Sequence, residues 1–194
     1  MTGGGKEPTL TSAIRAEARK RPGQWLYSVD PGFDPNGEVP PQGIVGAWRI
    51  DPTGDVVEFV HNPNYMPSPM ALGLTPPTNE LESKLQLTAT GYYSEKRFAA
   101  ELLAVDLFVY TGSTWKGPAT VPGEGGRRAI DGCTSLEHIP QNWPGAVPMP
   151  VRLLTEIPGL IDLRINPGSR VSVTIPIEDL REIVAPTVND GSGS

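Results

Sequence analysis

Glycine and proline recur along the whole chain and limit the length of any helix or strand in it. The sequence has 22 glycines and 22 prolines among its 194 residues. Proline interrupts both helical hydrogen bonding and strand ladders, and glycine inside either element costs conformational entropy. We therefore expect many turns joined to short helices and strands.

The remaining composition is that of a folded, soluble chain. Apolar residues make up 38% of it, and its length is sufficient to bury a core without disulfides or metals. The single cysteine, Cys133, excludes an internal disulfide and a cysteine-rich zinc site. No apolar run approaches the ~18 residues that cross a bilayer, and MTGGGKEPTLTS at the start lacks the apolar stretch of a secretory signal. We expect a cytoplasmic protein without membrane insertion.

The charge of the chain argues against a nucleic-acid partner. The net charge is −6, whereas phosphate neutralisation requires clustered lysine and arginine. The one basic cluster, at residues 15–21, is interrupted by Glu17 and is typical of a solvated helix face. An acidic surface instead suits a basic protein partner.

Two stretches have the alternating pattern of β-hairpins. IVGAWRI and VVEFVH flank a turn at residues 51–54, and LIDLRI and RVSVTI flank a second turn at residues 166–169. Further strands are predicted at residues 24–29 and 105–110, and RRAID is another candidate.

Capping residues and apolar spacing predict the helices. Thr78 or Asn79 can cap a helix that stops near Gly91, and Glu82 can complete a capping box with Asn79. Pro176 suits the first position of a closing helix. The predicted helical ranges are 12–20, 79–90, 94–104, 134–139, 151–157 and 176–184.

Interleaved strands and short helices predict an α+β fold. We expect a single mixed sheet with antiparallel hairpins and short packing helices, plus an N-terminal extension containing a β-hairpin. The predicted parts are a mobile leader and short helix at residues 1–23, the extension with two helices at 24–104, an α/β domain at 105–184, and a disordered tail at 185–194.

Few residues are available for catalysis. The histidines are His61 and His138, and Cys133 lies close before His138 in the chain. Nucleophilic catalysis needs a nucleophile, a base and an orienting group to converge in space, which proximity along the chain does not ensure. We expect a buried thiol at Cys133 and no enzymatic activity, with Cys133–His138 catalysis as the alternative.

Metal and phosphate sites are not indicated either. DPGFDPNGE carries Asp30, Asp34 and Asn36, but aligning Gly37 with the glycine of a calcium loop leaves glycine at both end ligand positions. GEGGRR, residues 123–128, lacks the spacing of a phosphate-binding loop. We expect no metal and no cofactor.

The loop HNPNYMPSP, residues 61–69, is a candidate contact surface. Prolines stiffen it, so that it would lose little entropy on docking to a partner. The alternative is that Tyr65 packs the loop onto its own sheet, and Trp143 in QNWPGAVP raises the same choice. The candidate partner-binding residues are Asn62, Asn64, Tyr65, Met66 and Trp143.

The chain also resembles a known family. LFVYTGSTWKGPA, IDGCTSLEHI and VRLLTEIPGLIDLRINPGSRVSVTIPIEDL, in this order over residues 105–183, are similar to the N-terminal domain of the SseB-like family, named for enhanced serine sensitivity. The upstream stretch from WLYSVDPGF to NPNYMPSPMALGL resembles the extension of bacterial proteins labelled type VII secretion system-associated.

The resemblance implies an intracellular α/β domain linked to secretion loci, and it implies no catalytic residues. We therefore expect a non-enzymatic cytoplasmic accessory or adaptor protein of type VII secretion that acts by protein–protein binding. Its partner would be a secretion component or a secreted effector. An immunity-like protein that neutralises a secreted toxin is the alternative.

Overall fold

The computed structural model describes residues 8–113, 117–160 and 162–184 of the chain. The chain divides into two compact units, Met1–Thr75 and Pro76–Ser194. The first seven residues of the predicted leader and the whole predicted tail at 185–194 lie outside the described residues.

The boundary between the units lies well before the predicted one at residues 104 and 105. The two helices assigned to the extension bury Leu85, Phe98 and Leu102 in the hydrophobic core of the second unit. An apolar stripe tells that a helix face is buried, but it does not tell which sheet the helix covers. The extension therefore ends before these helices begin.

The first unit is a small antiparallel sheet with one helix. Its elements are α1 (Ser12–Ala18), β1 (Trp25–Val29), β2 (Ile44–Ile50) and β3 (Val56–His61), with β2 between the other two strands. Thr11 caps α1 by accepting a hydrogen bond from the N–H of Ile14.

Two aromatic side chains pack together on one face of this sheet. Trp48 of β2 is 4% exposed and packs against Phe59 of β3, with ring centroids 4.6 Å apart. Gly46 is required beside them, because a Cβ there would overlap with the Val60 carbonyl oxygen and the Phe59 ring. The predicted hairpin is confirmed, and Asp51 Oδ1 accepts hydrogen bonds from the N–H groups of Thr53 and Asp55 in its turn.

The second unit is a six-stranded sheet with helices. Its strand order is β7-β4-β6-β8-β9, and β5 pairs with β6 away from this path. All pairs are antiparallel except β6 and β8, so the sheet is mixed, as predicted. The elements are α2 (Glu80–Ala89), α3 (Glu95–Leu102), β4 (Asp106–Thr111), β5 (Thr120–Pro122), β6 (Arg128–Cys133), β7 (Gly145–Pro150), α4 (Val151–Leu154), β8 (Asp162–Ile165), β9 (Val173–Pro176) and α5 (Ile177–Val184).

The core of this unit is formed by the sheet and the helices α2, α3, α4 and α5. Leu107 and Val109 of β4, Leu163 of β8 and Leu180 of α5 are fully buried there. The α+β fold predicted from the sequence is confirmed.

Several local predictions differ from the structure. The helix predicted at 134–139 is one 3₁₀ turn, Leu136–His138, because Pro140 follows it and the N–H of Thr134 binds Asn166 instead. The helix predicted at 151–157 ends at Leu154, and the strand predicted from residue 170 begins at Val173. Strands β5 and β7 were not predicted.

Candidate functional site

The predicted contact loop at residues 61–69 is tied to its own unit. The hydroxyl of Tyr65 donates to Asp30 Oδ2 at 2.8 Å. The side-chain amide of Asn62 donates to the carbonyl oxygens of Pro41 and Ile44 at 2.8 and 2.7 Å. These bonds agree with the alternative in which Tyr65 fastens the loop to its own sheet.

The remaining predicted contact residues differ in exposure and in the unit to which they belong. Asn64 is exposed, and Met66 is half-buried with its N–H bonded to the Gln42 carbonyl at 3.0 Å. In the second unit, the half-buried Trp143 ring meets the Tyr110 ring edge-on at a centroid distance of 5.1 Å. Asn64, Tyr65 and Met66 thus share one loop, whereas Trp143 belongs to the other unit.

Asp30 organises the loops around Tyr65. It is fully buried and accepts hydrogen bonds from the N–H of Gly32 at 2.7 Å, the N–H of Ser68 at 3.0 Å, the Ser68 hydroxyl and Tyr65. Burial by itself raises the pKa of Asp30, but the bonds from Ser68, Gly32 and Tyr65 outweigh it and hold that pKa below its usual value. Asp30 is thus an ionised structural link.

Cys133 lies at the end of β6 and is fully buried. Its thiol donates to the main-chain carbonyl of His138 at 3.3 Å rather than to the ring. Burial, reinforced by the nearby Asp131 carboxylate, raises the pKa of Cys133 to about 12. The nucleophile in cysteine chemistry is the thiolate, so this environment disfavours the Cys133–His138 alternative.

The ring of His138 has other partners, which come from two distant parts of the sequence. Its Nε2 lies 2.5 Å from Glu82 Oε1 of α2, and its Nδ1 lies 3.1 Å from the Ser169 hydroxyl in the β8–β9 turn. An ionised carboxylate can only accept, so Nε2 carries the hydrogen. When the ring is neutral, Nδ1 has no hydrogen and accepts a hydrogen bond from the Ser169 hydroxyl.

Glu82 is held in place by the start of α2. The N–H and the hydroxyl of Thr78 both donate to its Oε2 at 2.8 Å, and Asn79 accepts from its N–H at 2.8 Å. Burial raises the pKa of Glu82, but the hydrogen bonds from Thr78 and His138 lower it by more. The pKa of Glu82 is therefore below its usual value. We call Glu82, His138 and Ser169 the polar cluster. The predicted capping residues Thr78 and Asn79 therefore also hold Glu82 of this cluster in place.

A second polar pair lies beside the cluster, where the parallel strands β6 and β8 end. Asn166 is 1% exposed, and its Oδ1 accepts from the N–H of Thr134 at 2.8 Å while its Nδ2 donates to the Thr134 hydroxyl at 3.0 Å. Asn79 adds a bond to the Thr134 carbonyl at 3.0 Å. Strand carboxyl ends are where α/β sheets commonly place ligand sites.

A different surface feature lies on the first unit. The cross-strand neighbours Tyr27, Ala47 and Val60 share one face of the sheet, opposite the Trp48 core, and Trp25 lies on the same face beside them. Tyr27 is 63% exposed, Val60 45% and Trp25 44%. We call these residues the aromatic face.

An ion pair borders the aromatic face. Arg49 is the cross-strand neighbour of both Trp25 and Glu58, and its Nε lies 2.6 Å from Glu58 Oε1. Both side chains are about half exposed, so the pair adds little stability. In the register of the sheet, the pair lies next to the exposed Trp25.

Comparisons with known proteins give no family to which the chain can be assigned. No family model, no curated protein and no solved structure matches it.

Within the part of the chain that the structure describes, no helix has the length and apolar character that crossing a bilayer requires. The same residues contain no group of three or more His, Cys, Asp or Glu side chains placed to hold a metal ion.

From the sequence, His138 was considered together with Cys133 only as the alternative to a buried thiol, and its contacts with Glu82 and Ser169 were not predicted. Ser169 had no signal beyond its place in a turn, and Glu82 was identified as a capping residue only. Tyr27 and Trp25 were assigned to a strand, but their exposure depends on which sheet face is covered. That information comes from the packing of Trp48 and Phe59 behind them.

Proposed function

We propose that this chain is a non-enzymatic accessory protein of type VII secretion that works in the cytoplasm by binding another protein. The observation that carries the binding proposal is the aromatic face of the first unit. The assignment to type VII secretion is supported by the resemblance of the upstream segment and of residues 105–183.

The composition of the aromatic face is that of a binding surface. Antiparallel sheets with one solvated face usually present polar side chains to water. Here Tyr27, Trp25 and Val60 are exposed, and Arg49 is the cross-strand neighbour of Trp25. Tryptophan, tyrosine and arginine are the residues most enriched among the energetic hot spots of protein interfaces.

The rigidity of the strands supports the same function. Tyr27 and Trp25 lie on β1, which is paired with β2 along its whole length. Side chains fixed on a strand lose less conformational freedom on binding than side chains on a mobile loop. The face would therefore bind a partner without a prior ordering step.

Affinity purification from the native cell tests this proposal. The bait is the full chain, compared with a variant carrying Trp25→Ser and Tyr27→Ser and with a control carrying Leu136→Ser, since Leu136 is 67% exposed in the second unit. We expect proteins encoded with the secretion system to be enriched by the unchanged chain and the control, and to fall at least tenfold with the double variant.

Equal recovery of these proteins by all three baits would contradict the assignment to the aromatic face. The identity of the captured protein separates the roles. A secretion component supports the accessory role, whereas a toxic secreted effector that the chain neutralises on co-expression supports the immunity alternative.

A second function is supported by the contact between Ser169, His138 and Glu82. With a neutral His138 ring, the Ser169 hydroxyl donates to an imidazole that a carboxylate orients, which is the arrangement of an activated serine. In ester hydrolysis, Ser169 Oγ would bond to the carbonyl carbon as its proton passes to Nδ1. The alcohol would leave with that proton, and water would then release the acid.

Turnover of p-nitrophenyl acetate by the full chain, compared with Ser169→Ala, separates the two functions. The non-enzymatic proposal predicts equal, background release of p-nitrophenol from both proteins. Saturable turnover that disappears in Ser169→Ala and persists in Cys133→Ala would replace that proposal with a serine hydrolase.

A further inference from the structure

The second unit contains a groove of about 1010 Å³ between β9 and three helices. Residues 172–176 form one wall, and side chains of α2, α3 and α5 form the other. Leu85, Phe98 and Ile183 contribute apolar surface to the groove. This volume is at the upper end of the range for small-ligand pockets, which leaves room for a short peptide.

The groove runs along the outer edge of the sheet. β9 is the last strand in the order, and its strand neighbour among the described residues is β8. The lining includes five consecutive residues, 172–176, but no residue of Asp162–Ile165 in β8. Because the groove contacts every residue of β9 and none of β8, it lies on the side of β9 that faces away from β8.

The hydrogen-bonding pattern shows which main-chain groups face this groove. The N–H of Asn166 bonds to Gly132 of β6, so alternate residues of β8, Leu163 and Ile165, direct their main-chain groups toward β9. Their partners are Ile175 and Val173. The N–H and C=O of Thr174, between them, therefore point to the outer edge and into the groove.

The charges around the groove are mainly acidic. Glu95 of α3 and Asp179 and Glu182 of α5 contribute to the lining, against one lysine, Lys96. A basic segment is therefore the complementary occupant. Residues 185–194 of this chain contain Asp190 and no basic residue, so charge favours a segment of another protein over the chain's own end.

We propose that this groove binds an extended basic segment of a partner protein, which pairs with the outer edge of β9 as an additional strand. Main-chain bonds to Thr174 supply part of the affinity, and the apolar wall receives alternate side chains of the segment. Glu95, Asp179 and Glu182 select for lysine and arginine at the other positions.

This site is separate from the aromatic face. It lies in the second unit, and its occupant is recognised by strand pairing and charge rather than by exposed aromatic rings. The Trp25→Ser and Tyr27→Ser variant should therefore bind such a segment normally, so failure of either proposal leaves the other open to its own test.

The probe is a display library of random eight-residue peptides, selected on the full chain. We expect enriched peptides with several lysines or arginines alternating with apolar residues. Selection of acidic or unrelated sequences, or no enrichment over the empty support, would overturn the proposal.

Affinities of the strongest selected peptide, measured by fluorescence polarisation, test the strand pairing. Thr174→Pro removes an outward N–H without removing a bond to β8, so the edge position tolerates it. We expect at least a tenfold loss of affinity in Thr174→Pro and less than a twofold change in Thr174→Ala. An undiminished affinity in a folded Thr174→Pro variant would overturn strand pairing.

A modified peptide gives the same test without altering the protein. Peptides N-methylated at alternate residues are made in two sets, one blocking the odd amides and one blocking the even amides. A strand that pairs along one edge uses one set only, so one methylated peptide should lose binding and the other should keep it. Equal binding by both would contradict the proposal.

Charge variants on α5 test the selection for basic residues. Asp179→Lys with Glu182→Lys should weaken the peptide at least tenfold, and 1 M salt should weaken the unchanged protein. Glu178→Lys is the matched control, because Glu178 is on the same helix but outside the groove lining. Removal of residues 187–194 should leave affinity unchanged, and a large gain would identify the chain's own end as the occupant instead.

Discussion

Single buried carboxylates link distant segments in both units. Asp30 joins the loop before β2 to residues 65–68, and Glu82 joins the start of α2 to the turn that holds His138. In each, hydrogen bonds to the ionised form outweigh the desolvation caused by burial and keep the pKa low. Both residues therefore tie stability to pH.

Replacement of Glu82 should produce a stability loss that depends on pH. The folded pKa of Glu82 is below its ordinary value of 4.5, so its contribution is complete above that pH and is lost as the pH falls through the folded pKa. We expect Glu82→Gln to lower the free energy of unfolding by about 1–3 kcal/mol at pH 7. Urea unfolding at several pH values measures the difference, and a difference that stays constant from pH 7 to pH 3 would contradict this assignment.

Asn166 combines an unusual backbone with buried hydrogen bonds. Its φ is +51°, in the left-handed region that asparagine tolerates better than most residues. Asn166→Ala should lose both the tolerance of a positive φ and the bonds to Thr134, which lowers the free energy of unfolding by about 3 kcal/mol. Asn166→Gly tolerates the positive φ and loses only the bonds to Thr134. Thermal unfolding should rank the glycine variant between the original protein and the alanine variant. The reverse order would show that the backbone is not strained.

Cys133 should be chemically inert in the folded protein. Its side chain is fully buried, and its pKa is raised to about 12. We expect iodoacetamide at pH 8 to modify it only as fast as the second unit unfolds, so that addition of urea accelerates the reaction strongly. Rapid alkylation of the native protein, followed by mass spectrometry, would contradict the burial of this thiol.

Elements bounded by local signals were the ones that the sequence predicted well. Asn79 and Ser94 cap α2 and α3 as their residue types suggest, and the turn at Asp51 holds the first hairpin. These signals are hydrogen bonds between residues only a few positions apart, so both partners can be recognised in a short stretch of sequence. The closing helix was predicted from Pro176 and the apolar spacing that follows it, but it begins one residue later, at Ile177, and Pro176 is the last residue of β9.

Strand β7 shows why other elements were missed. It contains Pro148 and Pro150, which argue against a strand when only local sequence is considered. β7 is at the edge of the sheet, however, where a missing N–H can face away from the ladder. Its pairing with β4, such as Met149 opposite Leu107, is a long-range contact that local patterns do not encode.

Gly46 should be essential to the central strand of the first unit. A Cβ at this position overlaps with the Val60 carbonyl and the Phe59 ring, so Gly46→Ala should destabilise the unit by about 2 kcal/mol. Gly37→Ala is the control, because the added Cβ meets Asp34 atoms only at 3.5 Å or more. Hydrogen exchange should show faster exchange in β1, β2 and β3 for Gly46→Ala alone. An unchanged rate there would contradict the close packing.

At the scale of the whole molecule, the candidate sites come from residues far apart in the sequence. Glu82, His138 and Ser169 meet only after α2, a 3₁₀ turn and the β8–β9 turn have assembled. The aromatic face likewise requires three strands in register. The sequence therefore predicted the fold class and most local elements, but could not predict which side chains converge or remain exposed.

Site-specific photo-crosslinking in the native cell shows whether the aromatic face binds another protein. A photoreactive amino acid replaces Tyr27 on the aromatic face or, as the control, Leu26 on the opposite face of the same strand. We predict a discrete crosslinked product containing a second protein from position 27 and none from position 26. No crosslink from position 27, or equal crosslinking from both positions, would rule out protein binding through the aromatic face.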